Sequence, residues 1–215
     1  MEKKFSDKEI DTVKKLLSKT VEISHYNGWT NRSKYGYHSF NIDNLSIKGQ
    51  REPSQRLTII KKHINFENKN VIDFGCNSGG MLFHLPEIKQ GIGIDYDKNC
   101  IEFCDYFNSL LKRNNEFLVA DLNTFNYDTL LNKNLNTDII FLLSLGSWIK
   151  EWKILFDFSI NNSKTIIFET NNDVEGKPHL LYFKEKGCVI NLISQSSHDD
   201  MTGNYGRKTY IITNK

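Results

Sequence analysis

From Asn70 onward, short apolar runs alternate with stretches of helical periodicity. The runs predict strands over 70–74, 91–95, 116–120, 138–143, 164–169, 187–194 and 208–213. Between them, helices are predicted near 79–86, 98–113, 125–132, 148–160 and 176–186. Strands that alternate with helices predict an α/β fold whose parallel sheet is covered on both faces. The last two strands are joined by a loop and predict an antiparallel pair at the sheet edge. Upstream the pattern differs. Ile10, Val13, Leu16, Leu17 and Val21 mark an amphipathic helix over 6–25, with Ser6 as its N-cap. Residues 26–53 are irregular and aromatic, with Tyr26, Trp29, Tyr35, Tyr37, His38 and Phe40. An exposed linker would not carry so many rings, so this stretch reads as a cover with a hairpin around Phe40 to Ile47. A helix opens at Ser54, with Leu57, Ile59 and Ile60 apolar. The division expected is an N-terminal helix and lid over 1–55 and a main domain over 56–215.

Composition narrows the class. A chain of 215 residues with 39% hydrophobic and 25% charged residues fits one soluble domain with an appended segment. The net charge is +2, from 28 basic and 26 acidic residues. That balance counts against nucleic acid as the main partner, while leaving room for a local basic patch. Cys76, Cys100, Cys104 and Cys188 form no C-x-x-C pair and sit in no His/Cys cluster. They read as buried reduced thiols, and no metal is expected. The charged start has no signal-peptide core, and no apolar run reaches membrane-spanning length, so the expected location is cytoplasmic.

The candidate chemistry starts at Val71-Ile72-Asp73-Phe74, a strand end, followed by the glycine-rich turn Gly75 to Gly80 and a helix. Such a turn lets a ligand approach the backbone, and the helix start offers N–H groups to an anion. The next strand ends in Asp95, which lies 22 positions after Asp73. That is the spacing at which an acid reaches a ribose diol in nucleotide folds. Asp121 follows the third strand. Three carboxylates at three successive strand ends mark a nucleoside pocket, although Asp121 reads equally as a helix cap.

Over residues 56–213 the sequence resembles the Rossmann-like class I S-adenosylmethionine-dependent methyltransferases, whose first motif is D-x-G-x-G-x-G. Here it reads Asp73-Phe-Gly75-Cys-Asn77-Ser-Gly79, with Asn77 in place of the middle glycine. Asparagine tolerates left-handed backbone angles, so the turn survives. The resemblance implies a seven-stranded, mostly parallel sheet with an antiparallel edge strand. It also implies S-adenosylmethionine as cofactor and S-adenosylhomocysteine as product. By resemblance Gly75 and Gly79 lie against the methionine moiety. Asp95, with Tyr96 beside it, holds the ribose; Asp121 and Leu122 border the adenine; Ser144 and Leu145 face the reacting centre. The rival cofactor, NAD, asks for G-x-G-x-x-G, and the glycines here read Gly75-x-x-x-Gly79-Gly80.

Tyr37-His38-Ser39 and Arg51-Glu52-Pro53-Ser54 resemble the segment before the first motif in wobble-uridine tRNA methyltransferase-like proteins and in methyltransferases of surface-polysaccharide clusters. The resemblance implies a lid over cofactor and substrate. His38 is the first candidate general base for a hydroxyl acceptor, or else a histidine that fixes the lid. His198, beside Asp199, is the second, or else a solvated loop residue. Glu169, at the end of the fifth strand, is a candidate acceptor-binding and catalytic group. Trp148 either stacks on a flat acceptor or joins the core. Arg51, Arg56 and Arg207 are candidates for the cofactor carboxylate or an anionic acceptor, or else surface arginines. The leading expectation is O-methylation of a small or carbohydrate-like acceptor. A tRNA-modifying methyltransferase and a non-catalytic cofactor-binding subunit are the alternatives.

Overall fold

Short apolar runs such as Ile139–Leu143 become the central strands of one sheet. The computed structural model describes residues 4–22, 34–133, 136–195 and 206–214. A hairpin of β1 (Phe40–Ile42) and β2 (Leu45–Ile47) comes first in the chain. The sheet itself contains β3 (Asn70–Phe74), β4 (Gln90–Asp95), β5 (Asn115–Val119), β6 (Ile139–Leu143), β7 (Thr165–Glu169), β8 (Val189–Gln195) and β9 (Lys208–Thr213). Its order is β5-β4-β3-β6-β7-β9-β8. The five strands from β5 to β7 are parallel. β9 runs against both β7 and β8. The antiparallel pair is therefore at the edge as expected, and the reversed strand is the one just inside it.

Alternation along each strand feeds two cores. Val71, Ile139, Phe141 and Ile167 face one side, with α1 (Asp7–Glu22), α2 (Pro53–Ile60), α3 (Gly80–Phe83) and α4 (Lys98–Leu111). Ile72, Phe74, Ile140, Leu142 and Phe168 face the other, with α5 (Asp128–Leu131), α6 (Trp152–Asn162) and α7 (Asp173–Glu185). Burial on both faces is what makes these strands uniformly apolar. The hairpin joins the first core. The Phe40 ring lies 5.2 Å from Phe103 and 5.5 Å from Phe107. Burying a side chain of that size is worth about 2–3 kcal/mol, which anchors the residues just ahead of it.

Local chemistry sets the helix ends. Ser6 and Glu9 cap α1 reciprocally: the Ser6 N–H donates to Glu9 Oε2 at 2.8 Å and the Glu9 N–H donates to Ser6 Oγ at 3.4 Å. α2 opens one residue earlier than expected, on Pro53, whose ring suits a first helical position. α3 stops at Phe83, short of the predicted 86, because Leu85 precedes Pro86 and is pushed away from helical angles. α7 begins at Asp173 because the Asn172 side chain accepts the Glu175 N–H at 2.9 Å. Among the described residues no helix is long and apolar enough to cross a membrane.

Candidate functional site

The chain leaves β3 at the point where successive strands turn away in opposite directions, β4 and β5 to one side, β6 and β7 to the other. Ligands of open α/β sheets bind in the crevice beyond the carboxyl ends at such a point. The turn there takes left-handed angles at Gly75 (φ +71°), Asn77 (φ +49°) and Gly79 (φ +67°). Asn77 thus holds the conformation a glycine would take most readily. A Cβ on Gly79 would lie 2.8 Å from Cε2 of Phe83 and 3.0 Å from Sγ of Cys104. Asp95 reaches the same turn from the end of β4. Its Oδ2 accepts the Asn77 N–H at 2.8 Å and its Oδ1 accepts the Asp97 N–H at 2.9 Å. Burial raises its pKa, and those N–H bonds oppose the rise. The Tyr96 N–H is a further backbone donor to this carboxylate, which has room for one donor more. Asp73 is deeply buried, which with Asp95's charge pushes its pKa up to about 8 against the pull of Arg56.

The segment before α2 closes on this turn. His38 is buried, and its Nδ1 accepts the Gly80 N–H at 3.2 Å and lies 3.2 Å from Ser78 Oγ. A Cβ on Gly80 would run into the ring. A backbone N–H is always a donor, so Nδ1 is the unprotonated nitrogen and Nε2 carries the hydrogen. Burial, then Arg56, His84 and Arg51, hold the pKa of His38 well below its ordinary value. The lone pair a general base would use is already committed to Gly80. In this geometry His38 ties the segment before α2 to the glycine turn. Arg51 lies across a short parallel bridge from it, with the Ser39 N–H donating to Arg51 O at 2.7 Å and the Arg51 N–H donating to Tyr37 O at 2.8 Å.

Glu169 gathers the arginines. Arg56 Nη2 donates to its Oε1 at 3.0 Å, with Arg207 Nη1 at 3.6 Å and Arg51 Nη2 at 3.9 Å. The Ser144 hydroxyl donates to the same oxygen at 2.5 Å, and Thr209 Oγ1 lies 3.5 Å from Oε2. Burial alone would raise this carboxyl, but Arg56, Arg51, the Ser144 hydroxyl and Arg207 outweigh it and lower the pKa. Tyr37, whose hydroxyl accepts from Arg51 Nε at 3.1 Å, is also lowered, because the three guanidiniums overcome burial. All three arginines have side chains that are largely buried, and Arg56 is paired with Glu169.

The remaining candidates separate. Asp121 is exposed, and its Oδ1 accepts both the Asn123 N–H and Asn123 Nδ2 at 2.9 Å, so it caps a turn. Leu122 is buried, and Tyr96 is half exposed. Trp148 ends a 3-10 turn, Gly146–Trp148, at 52% exposure, so it is not a core residue. Trp152 packs on Phe156, His179 and Tyr182. Tyr26, Trp29, His198 and Asp199 lie outside the described residues. The sequence does not announce Ser78 and Gly80 as partners of His38. The available signal is the second of two consecutive glycines, one beyond what the motif requires.

No protein-family model matches the chain. Over 83 residues it is 32% identical to the tRNA U34 carboxymethyltransferase of Nautilia profundicola, a match covering 39% of this chain and 26% of that protein. The match therefore spans about a quarter of the length of this curated relative. The N-terminal domain of EvdMO1, solved with S-adenosylhomocysteine bound, superposes with a TM-score of 0.66 at 13% identity, covering 98% of this chain and 97% of that one. The bifunctional kinase-methyltransferase WbdD superposes at 0.58 and 20% identity, covering 77% of this chain and 40% of that one. Strand order, switch point and these superpositions agree that the chain carries the class I S-adenosylmethionine-dependent methyltransferase fold.

Proposed function

We propose that this chain is an S-adenosylmethionine-dependent methyltransferase that methylates a hydroxyl of a small-molecule or carbohydrate acceptor. The observation that carries the cofactor assignment is the Asp95 carboxylate, buried at the end of β4 and clamped to the left-handed turn through the Asn77 N–H. A carboxylate in that position suits a ribose diol. Tyr96 directly follows β4 and Leu122 lies just beyond β5, where an adenine ring would rest. S-adenosylmethionine supplies an electrophilic methyl group on a sulfonium. The protein's part is to align an acceptor with that group and exclude water. Trp148, exposed in the turn that follows β6, offers a ring suited to the flat face of a sugar. The carbohydrate reading is supported by EvdMO1, whose N-terminal domain was also solved in the presence of D-fucose.

A thermal-shift series with S-adenosylmethionine, S-adenosylhomocysteine and NAD tests the cofactor. A ligand that binds only the folded chain raises its apparent stability. The two sulfur nucleosides are expected to shift the transition, NAD is not, and Asp95→Ala abolishes the shift. Absence of any shift with either sulfur nucleoside refutes the assignment. A second reading, modification of tRNA, is favoured by the 83-residue match to a tRNA-modifying enzyme. It predicts tRNA affinity that falls steeply with salt, whereas the carbohydrate reading predicts methyl transfer to sugars and none to tRNA.

A further inference from the structure

Glu169 ends β7 at the carboxyl edge of the sheet, where a carboxylate serving the reaction would stand. Its oxygens instead accept hydrogen bonds from Arg56, Ser144 and Thr209 and lie within ion-pair distance of Arg51 and Arg207, groups from distant parts of the chain. Arg51 lies in the bridged segment, Arg56 in α2, Ser144 after β6, Arg207 just before β9 and Thr209 within it. Two routes lead from Glu169 back to the glycine turn. Along one, Arg51 is bridged to His38, and His38 accepts the Gly80 N–H. Along the other, Ser144 holds a left-handed φ of +55° while its N–H donates to Glu169 O at 2.9 Å and its hydroxyl to Oε1. The next residue, Leu145, covers Gly75, where an added Cβ would lie 2.8 Å from Leu145 Cδ1.

We propose that Glu169 is a positioning residue, the anionic hub that latches the lid onto the carboxyl edge of the sheet and transmits that closure to the cofactor turn. It does not take a proton from the acceptor. An ionised carboxyl shared among three guanidiniums and a hydroxyl is a weak base, and its lone pairs are directed at protein donors. Its worth lies in joining elements that share no covalent neighbourhood. This inference rests on the cofactor reading above, and its test separates the two.

The affinity for S-adenosylhomocysteine, measured by titration calorimetry, is compared with the rate of trypsin cleavage at Lys48, which is exposed in the lid. Glu169→Gln is expected to weaken S-adenosylhomocysteine at least tenfold and to speed cleavage at Lys48. Glu102→Gln, which breaks an exposed ion pair with Lys19, is expected to change neither. Arg56→Ala is expected to move both readouts in the same direction, and the double variant to be no worse than Glu169→Gln alone, because both remove one latch. A folded Glu169→Gln chain with wild-type affinity and wild-type cleavage overturns the proposal. If that variant does not fold, Arg56→Ala decides: unchanged affinity and cleavage there overturn it equally. A wild-type chain that ignores S-adenosylhomocysteine refutes the cofactor reading, while the cleavage comparison, which needs no ligand, still judges the latch.

Discussion

Replacing Asp73 by asparagine exchanges one buried oxygen for an amide and removes a titration from the folded state. Burial, reinforced by Asp95 and opposed by Arg56, pushes the carboxyl from 3.8 up to about 8. At neutral pH the folded chain therefore keeps a proton that the unfolded chain has released. The sign follows from that difference. The stability associated with the neutral acid is complete below about pH 4 and is eroded as pH rises, levelling off above about 8. Each pH unit inside the window is worth about 1.4 kcal/mol. At pH 7 the loss comes to about 4 kcal/mol, and the Asp73→Asn variant would not suffer it. The measurement is urea unfolding of the wild-type chain and Asp73→Asn at a series of pH values, with m-values checked for equality. The stability gap between them is expected to grow in favour of the variant by about 3 kcal/mol from pH 5 to pH 7. A gap that stays constant over that range would mean that Asp73 ionises in the folded chain as it does in the unfolded one, and burial would not govern its charge.

Two further substitutions probe the turn. Asn77→Ala places a Cβ residue without a compensating amide at φ +49° and is expected to cost about 1 kcal/mol, a fall in Tm of about 2–4 °C, whereas Asn77→Gly should leave Tm nearly unchanged. Equal Tm values for the two variants would remove the conformational explanation. Gly80→Ala drives a methyl into the His38 ring and is expected to abolish the shift with S-adenosylhomocysteine and to speed cleavage at Lys48, with circular dichroism unchanged. Retention of wild-type binding would show that the lid can move aside without consequence.

Strand positions are legible in the sequence because burial on both faces turns each strand into an apolar run, as in Ile139–Leu143. Asn77 is legible too, since its side chain is one of the few that accept the angle the turn needs. The end of α3 departs from the periodicity, although Pro86 announces it. What no local pattern reveals is the partner of each charged residue. Arg56 meets Glu169 across 113 residues of chain, and nothing in the spacing of either records the other. The same holds for His38, whose contact with Gly80 no spacing in the sequence records. Asp121 shows a different limit: a carboxylate after a strand suits a ligand and a turn equally, and its exposed contacts with Asn123 are decided by loop geometry.

The placement of β9 between β7 and β8 bears on how the molecule assembles. β8 precedes β9 in the chain, yet among the described residues its one neighbour in the sheet is β9. The growing sheet cannot add these strands one after another in chain order. The place beside β7 is taken by β9, and β8 pairs antiparallel on the outer side of β9. Arg207 and Thr209 travel with that segment and reach Glu169 only when it docks. Pairing between segments far apart in the chain is slow to form. The set of groups around Glu169 is therefore complete only once β9 lies beside β7.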